Sequence, residues 1–185
     1  MAASHITKNI FAQSLKELLN NSSFDKISVS EICKKSGMNR KSFYYHFIDK
    51  YDLVNWIFET EFIAVYSVRP ENEKLEVFSE MLRYFYENRS FYKKVLNVGG
   101  QNSFSDYFQE LLFAEIKRRL QYIMDTQNVS EFQIYFIVDA VVCAVKRWIT
   151  GGNCIPHTEF LKEMLSCVYM TANHITKNIS ELKLN

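Results

Sequence analysis

The chain has 185 residues, of which 48% are hydrophobic and 15% aromatic, and its formal net charge is +1. This apolar content is ample for a core, and five glycines and two prolines are too few for a turn-rich β fold. No stretch reaches the roughly 18 uninterrupted apolar residues of a membrane span, and the first 20 residues are amphipathic, unlike a signal peptide. Four scattered cysteines without a C-x-x-C pair fit reduced thiols, so we expect a cytoplasmic protein with no membrane association.

Charge is distributed unevenly along the chain. Residues 1–50 carry eight lysines and arginines against four acidic side chains, a net charge of +4, whereas the remaining 135 residues have a net charge of −3. A basic excess confined to one end is expected if that end meets phosphates and the rest does not. An excess this modest binds DNA weakly in one copy, and a dimer doubles the number of phosphates that are neutralised.

Residues 28–50 predict two short helices joined by a glycine turn. Ser30 is expected to cap the first of them. Gly37 is expected to end it, because that position requires a left-handed backbone that glycine adopts at low cost. Asn39 is placed to cap the second helix. Two helices joined in this way form a helix-turn-helix, whose second helix enters the major groove of DNA.

The second short helix carries Phe43 and Phe47 four residues apart on its buried side and polar side chains on the other. Arg40 and Lys41 suit base edges, while hydroxyl, imidazole and amine groups suit phosphate oxygens. The side chains predicted to contact DNA are Ser28, Ser30, Asn39, Arg40, Lys41, Ser42, Tyr44, Tyr45, His46 and Lys50. A helical hairpin with an ordinary solvated basic face is the alternative that spacing alone leaves open.

This segment resembles the signature of the TetR family of bacterial regulators. Residues 42–47, S-F-Y-Y-H-F, are similar to the family block (S/T)-(L/F)-Y-x-(H/Y)-F, and residues 49–53 to the start of the longer helix that follows it. Residues 6–19 are similar to the first family helix, and residues 24–29 to its connector. The resemblance covers residues 6–65 and implies a DNA-binding transcription regulator, not an enzyme.

Two further strings, at residues 52–62 and 86–95, are closer still to one subgroup of that family. The subgroup contains the regulators of dihydroxyacetone kinase operons in low-GC Gram-positive bacteria. Cys33 and Ser36 depart from the family, which often has alanine at these positions, but both side chains are small enough to pack there.

From residue 50 onward, the spacing of apolar residues predicts six more helices, which makes about nine in all. Their expected limits are residues 50–68, 71–87, 90–96, 103–125, 130–150 and 157–179, with breaks at Arg69-Pro70, Gly99-Gly100 and Gly151-Gly152. We therefore expect an all-α fold. The resemblance implies that residues 1–50 form the helix-turn-helix DNA-binding domain, the head, and that residues 51–185 form a helical ligand-binding and dimerisation domain, the body.

The helix predicted over residues 130–150 is apolar nearly all round, which predicts burial on several sides. The resemblance implies that the last two long helices of each subunit form a four-helix bundle across a two-fold axis. A second head is also needed to reach the next half-site, about 34 Å away. The predicted dimer interface is Val138, Val141, Val142, Val145, Leu161, Met164, Leu165, Val168 and Tyr169. Burial of both helices within one subunit is the alternative.

The resemblance also implies a cavity in the body for a small-molecule effector, whose binding changes the separation of the heads. The candidate wall residues are aromatic: Tyr66, Phe85, Tyr86, Tyr92, Phe108, Tyr122, Tyr135 and Trp148. Aromatic residues at helical spacing equally fit an ordinary core. The helix that begins at Lys50 is expected to transmit the change, because it links head and body.

No catalytic or cofactor-binding motif is found in the sequence, and we expect neither a cofactor nor a metal. Cys154 and His157 are possible metal ligands, but nothing fixes four ligands around one ion. Buried apolar thiols are a simpler reading of the cysteines than redox sensing. Two functional hypotheses remain. In the first, the protein is a homodimeric repressor that binds a palindromic operator in double-stranded DNA and is released from it by a small molecule. In the second, it is an activator or co-regulator that acts through a protein partner bound to the aromatic-rich segment 84–108.

Overall fold

A computed structural model gives the structure of the protein and describes residues 2–66, 74–98, 103–123 and 129–178. Within these ranges every regular element is helical, which confirms the predicted all-α fold. The nine helices are α1 (Ala2–Asn21), α2 (Val29–Ser36), α3 (Arg40–His46), α4 (Lys50–Phe58), α5 (Lys74–Glu87), α6 (Arg89–Leu96), α7 (Phe104–Ile123), α8 (Glu131–Thr150) and α9 (His157–Asn178). A 3-10 turn (Phe24–Lys26) precedes α2, and α4 continues through a π-helical turn (Glu59–Ile63) into a last α-helical turn (Ala64–Tyr66).

Side-chain caps define the ends of the short head helices. Ser28, and not Ser30, caps α2: its hydroxyl accepts from the Glu31 backbone N–H at 3.2 Å, and the Glu31 carboxylate accepts from the Ser28 N–H at 2.7 Å. The predicted cap at Ser30 is therefore wrong, because the reciprocal pair starts the helix two residues earlier. Gly37 ends α2 with φ of 70°, and Asn39 caps α3, as predicted.

An aromatic and aliphatic core joins the three head helices. The Phe11 ring of α1 lies 5.2 Å from that of Phe43 in α3 and 6.3 Å from that of Phe47, in edge-to-face contact. Leu15 and Ile32 are fully buried in the same core. Burial of each such side chain contributes roughly 1.5–3 kcal/mol, which compensates for the shortness of α2 and α3.

The body is organised around Phe58, which lies at the end of α4. Its ring stacks on Phe85 of α5 at 5.5 Å and meets Phe104 of α7 edge to face at 5.4 Å. Helix α7 packs along α8, and α9 packs on α5. Trp148 in α8 stacks on Phe160 in α9, with ring centroids 4.3 Å apart, so the start of α9 is fixed against α8.

The predicted helix limits agree with the described elements to within a few residues, but residues 130–150 are buried on only one side within the single subunit. Side chains on one face of α8 are buried in the subunit, whereas Phe132 and Phe136 are 78% and 70% exposed. The predicted break at Gly151 is confirmed, since its N–H closes the last turn of α8 on the Arg147 carbonyl. The breaks predicted at residues 69–70 and 99–100 lie outside the described residues. None of the helices in the described part combines the length and apolarity needed to cross a bilayer.

Candidate nucleic-acid interface

Helix α3 presents one polar face to solvent. Phe43 is fully buried against α1, which turns Arg40, Lys41, Tyr44 and Tyr45 outward, and Tyr45 is 83% exposed. The face has the width of a single short helix with two cations at its N-terminal end. This is the arrangement in which a recognition helix offers its first residues to base edges.

Arg40 is held along this face by its neighbour one turn later. Its Nη2 donates to the Tyr44 hydroxyl at 3.4 Å, and the guanidinium carbon lies 5.8 Å from the Tyr44 ring centroid. The hydrogen bond with Tyr44 is the main cause that raises the pKa of Arg40, whose guanidinium, like that of any arginine, is charged at physiological pH. A charged, forked donor of this kind matches the two acceptors on a guanine edge.

The remaining predicted contacts divide into exposed groups and groups that build the fold. Ser30 is exposed in the first turn of α2, whereas the Ser28 hydroxyl is engaged with Glu31 and the Asn39 side chain with the cap of α3. Ser42 and His46 are half-buried, and the His46 ring packs against Tyr45 at 4.9 Å.

Lys50 requires a correction. Its Nζ donates to the carbonyls of Phe24 and Ile27, both at 2.8 Å, and to that of Asp25 at 3.3 Å. The ammonium also lies 4.6 Å from the Phe24 ring centroid, and burial lowers its pKa. The predicted phosphate contact is therefore replaced by a structural role, because the amine is directed at the connector between α1 and α2.

Sequence reasoning missed other exposed side chains of the head. Lys26 and Lys34 are exposed near α2, and Ile48 is 80% exposed just after α3. Lys35 is committed to an ion pair, since its Nζ lies 2.8 Å from the carboxylate of Glu17 in α1. The uneven charge distribution was the only signal in the sequence for these lysines.

The eight aromatic residues predicted to line an effector cavity do not surround one cavity. Phe85, Tyr92 and Phe108 are fully buried, and the Phe85 ring contacts the other two, so the ordinary-core alternative is the correct one for these three residues. Tyr122 and Tyr135 are exposed, Tyr66 and Tyr86 are half-buried, and Trp148 is buried by its stack with Phe160.

Two clefts lie between the head and the body, and none of those eight residues lines either one. The first cleft has a volume of about 570 Å³ and is bounded on one side by residues 48–55. On the other side it is bounded by Ser103, just before α7, and by Asp106, Tyr107 and Glu110 in α7. The second, of about 320 Å³, lies between α1 and the junction of α5 with α6. Molecules bound in either cleft would touch head and body at once.

The predicted dimer interface is also only partly available. Val138 and Val145 are fully buried in the core of the subunit, so their assignment to an interface is wrong. Val168 and Tyr169 are 67% and 70% exposed, and Leu165 is exposed beside them. The partly buried positions are Val141, Val142, Leu161 and Met164.

The cysteines and the possible metal ligands form no site in the described part of the chain. No group of three or more His, Cys, Asp or Glu side chains there is arranged to hold a metal ion. Cys33 is buried, but Cys143 and Cys167 are exposed, so the expectation of buried thiols is wrong for these two.

A three-helix head that contains a helix-turn-helix with an exposed basic second helix, joined to a helical body, is typical of helix-turn-helix transcription regulators. Residues 14–57 match the family model described as bacterial regulatory proteins, tetR family. Residues 72–169 match a model described as a transcriptional regulator C-terminal region of the same family. The chain belongs to the TetR family, whose members are DNA-binding transcription regulators and not enzymes.

A relative in sequence agrees with this assignment, and two solved structures share the fold. The chain is 32% identical over 172 residues to the HTH-type dhaKLM operon transcriptional activator DhaS of Lactococcus lactis, an alignment that covers 84% of this chain and 86% of the relative. A solved structure of a dihydroxyacetone kinase operon activator DhaS is 22% identical, with a TM-score of 0.57 over 89% of this chain and 97% of that one. A TetR regulator from Streptococcus agalactiae 2603V is 19% identical, with a TM-score of 0.68 over 90% and 96% of the two chains.

Proposed function

We propose that the protein is a homodimeric transcription regulator that binds a palindromic operator through two helix-turn-helix heads and responds to a small-molecule effector. Residues 1–50 act as the DNA-binding head and residues 51–185 as the ligand-binding and dimerisation body. The observation that carries the proposal is the exposed face of α3, where Arg40 and Lys41 stand at the N-terminal end of a helix fixed by Phe43.

Within this proposal, Arg40 and Lys41 contact base edges, and Tyr44, Tyr45 and Ser30 contact the backbone. Loss of one base contact costs roughly 1–3 kcal/mol and relaxes sequence preference, whereas loss of a phosphate contact weakens binding to all sequences alike. The bond from Arg40 to Tyr44 supports this division, since it orders the guanidinium before DNA arrives.

The proposed dimer is supported by apolar side chains that one subunit leaves in solvent. They lie on α8, at Phe132 and Phe136, and on the middle of α9, at Leu165, Val168 and Tyr169. Exposed apolar residues grouped on two helices are typical of an interaction surface. A second copy of the chain is the occupant that we propose, because a palindromic site requires two heads in fixed relation.

Effector control is supported by where the clefts lie. Each cleft has residues of the head and residues of the body in its wall, so a molecule bound in either would contact both parts. The first candidate is a repressor that the effector releases from DNA. The second candidate is an activator, and it is supported by the name of the Lactococcus lactis relative, a transcriptional activator.

The hypothesis of a protein partner needs a different surface from the one predicted. The large aromatic side chains Phe85, Phe91, Tyr92, Phe104 and Phe108 of segment 84–108 are buried. An activator would therefore present a partner with another part of the body.

Binding to the intergenic DNA upstream of the protein's own gene tests the proposal. We expect tight binding of two subunits per site, weakening steeply across a salt series because phosphates release counterions. An Arg40→Ala/Lys41→Ala double variant should lose it. Lys35→Ala is the matched control, because this lysine is paired with Glu17 and should cost little. Equal binding by the double variant and the wild type would refute the role of α3.

A further inference from the structure

Helix α1 lies between the body and the recognition helix. On one side its Phe11 packs against Phe43, the residue that anchors α3. On the other side α1 contacts both α4 and α6. A displacement of α1 relative to the body would therefore carry α3 with it, since packed interiors transmit small movements.

The first tie between α1 and the body runs through a chain of polar groups. The Nζ of Lys16 lies 2.5 Å from one carboxylate oxygen of Glu61, and the other oxygen accepts from the Tyr84 hydroxyl at 2.9 Å. The Tyr84 hydroxyl is in turn 3.0 Å from that of Tyr92, which is fully buried. Because Tyr84 gives its proton to Glu61, Tyr92 is the donor in that last bond. The chain thus leads from the surface of the head to the core of the body.

Glu61 owes its position to the π-helical turn at Glu59–Ile63. Such turns are rare and are often found at functional sites. Here each of two carboxylates on the turn accepts a tyrosine hydroxyl of the body: Glu61 accepts from Tyr84 in α5, and Glu59 accepts from Tyr107 in α7 at 3.1 Å. Only the Glu61 pair extends to α1.

A second tie holds the C-terminal end of α1. Lys94 of α6 donates to the Leu19 carbonyl and, at 3.3 Å, to that of Ser22. A cation at the last carbonyls of a helix satisfies acceptors that have no partner within the helix and complements its dipole. The cleft of about 320 Å³ lies between the two ties, with Lys16 and Lys94 both in its wall.

We propose that α1 transmits the state of the body to the recognition helix, and that the Lys16–Glu61–Tyr84 chain and the Lys94 contact are the two ties that make it do so. The proposal rests on the proposed function only in that α3 reads DNA. The ties themselves make head and body unfold as one unit, which can be measured without DNA.

The two tryptophans of the chain report on the two parts separately. Trp56 lies in α4 but packs against Phe47 and His5 of the head, with ring centroids 5.9 and 5.5 Å apart, so its environment is lost when the head unfolds, whereas Trp148 is stacked inside the body. Trp148→Phe therefore leaves a fluorescent reporter of the head, and Trp56→Phe leaves one of the body. With the ties intact we expect both reporters to give the same midpoint in urea, as one cooperative transition requires.

A Glu61→Gln/Lys94→Met double variant is then made in each single-tryptophan background. We expect the Trp56 midpoint to fall below the Trp148 midpoint by about 0.5–1 M urea. Midpoints that stay coincident, even if both fall, would overturn the proposal, as would separate transitions with the ties intact. If the double variant does not fold, Lys16→Met alone is measured, with a smaller separation expected and coincidence again decisive.

Tyr107→Phe is the matched control. This variant removes the tyrosine hydroxyl that donates to Glu59, a carboxylate of the same π-helical turn, but it removes no contact with α1. The Trp56 and Trp148 midpoints should therefore remain together. A separation as large as that of the tie variant would show that damage to the turn, and not loss of the ties, uncouples the head. Failure of DNA binding would leave these midpoints unaffected, so the two proposals fail independently.

Discussion

Replacement of Lys50 by methionine tests whether this lysine builds the head or contacts DNA. Methionine keeps much of the apolar stem but removes the ammonium that donates to the carbonyls of Phe24, Ile27 and Asp25. The Phe24 carbonyl retains the N–H of Ile27 at 3.1 Å, so it is not left without a donor. The loss falls mainly on the Ile27 carbonyl and on the link between α4 and the connector.

The magnitude follows from these contacts. A hydrogen bond to a charged group contributes about 1.5–3 kcal/mol, and a buried acceptor that loses its donor costs about 1–3 kcal/mol. The burial that lowers the Lys50 pKa opposes part of this gain. We therefore expect Lys50→Met to reduce the free energy of unfolding by about 2 kcal/mol, or about 1 M in the urea midpoint.

Urea unfolding followed by circular dichroism measures the change, and Lys26→Met is the control. Lys26 belongs to the 3-10 turn whose carbonyls accept from Lys50, but its own side chain is exposed. Its replacement should therefore leave the urea midpoint almost unchanged. A Lys50→Met variant of wild-type stability that has lost affinity for DNA would refute the structural role and restore the phosphate contact.

Three further predictions concern the turn, a cap and the dimer. Gly37→Ala should lower the free energy of unfolding in urea by about 1 kcal/mol, because an alanine would be strained at the backbone φ of 70° although its Cβ would meet no other atom. Gly152→Ala also places its Cβ in open space but needs no such φ, so it should cost almost nothing, and equal effects of the two variants would contradict this prediction. Ser28→Ala should lower stability by about 1 kcal/mol at pH 7. Hydrogen bonds from the Ser28 backbone N–H and, second, from its hydroxyl lower the pKa of Glu31, so the stability that this carboxylate contributes is present above pH 4.5 and lost as the pH falls further. Alanine keeps the backbone N–H and loses only the hydroxyl bond, so the difference in stability between Ser28→Ala and the wild type should narrow slightly below pH 4.5. A difference that widens below pH 4.5 would contradict this prediction. Leu165→Arg should give monomers in light scattering, and an unchanged dimer would remove α9 from the interface.

The head was predictable because its signals are local. A glycine after α2, an asparagine before α3 and phenylalanines four residues apart each determine a backbone or packing choice within a few residues. The role of Lys50 could not be found in this way, since its acceptors lie 23 to 26 residues away in the connector.

The interior and surface of the body were harder to predict, because helical spacing identifies an apolar side chain without showing what covers it. Phe85 and Tyr135 look alike in sequence, yet one is fully buried and the other is exposed. Val138 and Phe136, two residues apart in α8, face the core and solvent respectively. The π-helical turn has no recognisable pattern in the sequence. The position of Glu61 between Lys16 of α1 and Tyr84 of α5 therefore could not be predicted and is seen only in the structure.

Selection of bound duplexes from a random DNA library with the full-length protein tests the central claim most directly. A dimer that reads bases through α3 should enrich a palindrome, and Arg40→Ala should enrich a palindrome degenerate at the same position in both half-sites. Half-sites separated by one helical turn or a multiple of it are the expected result. Binding without enrichment, or the same motif from Arg40→Ala, would contradict base reading by this helix.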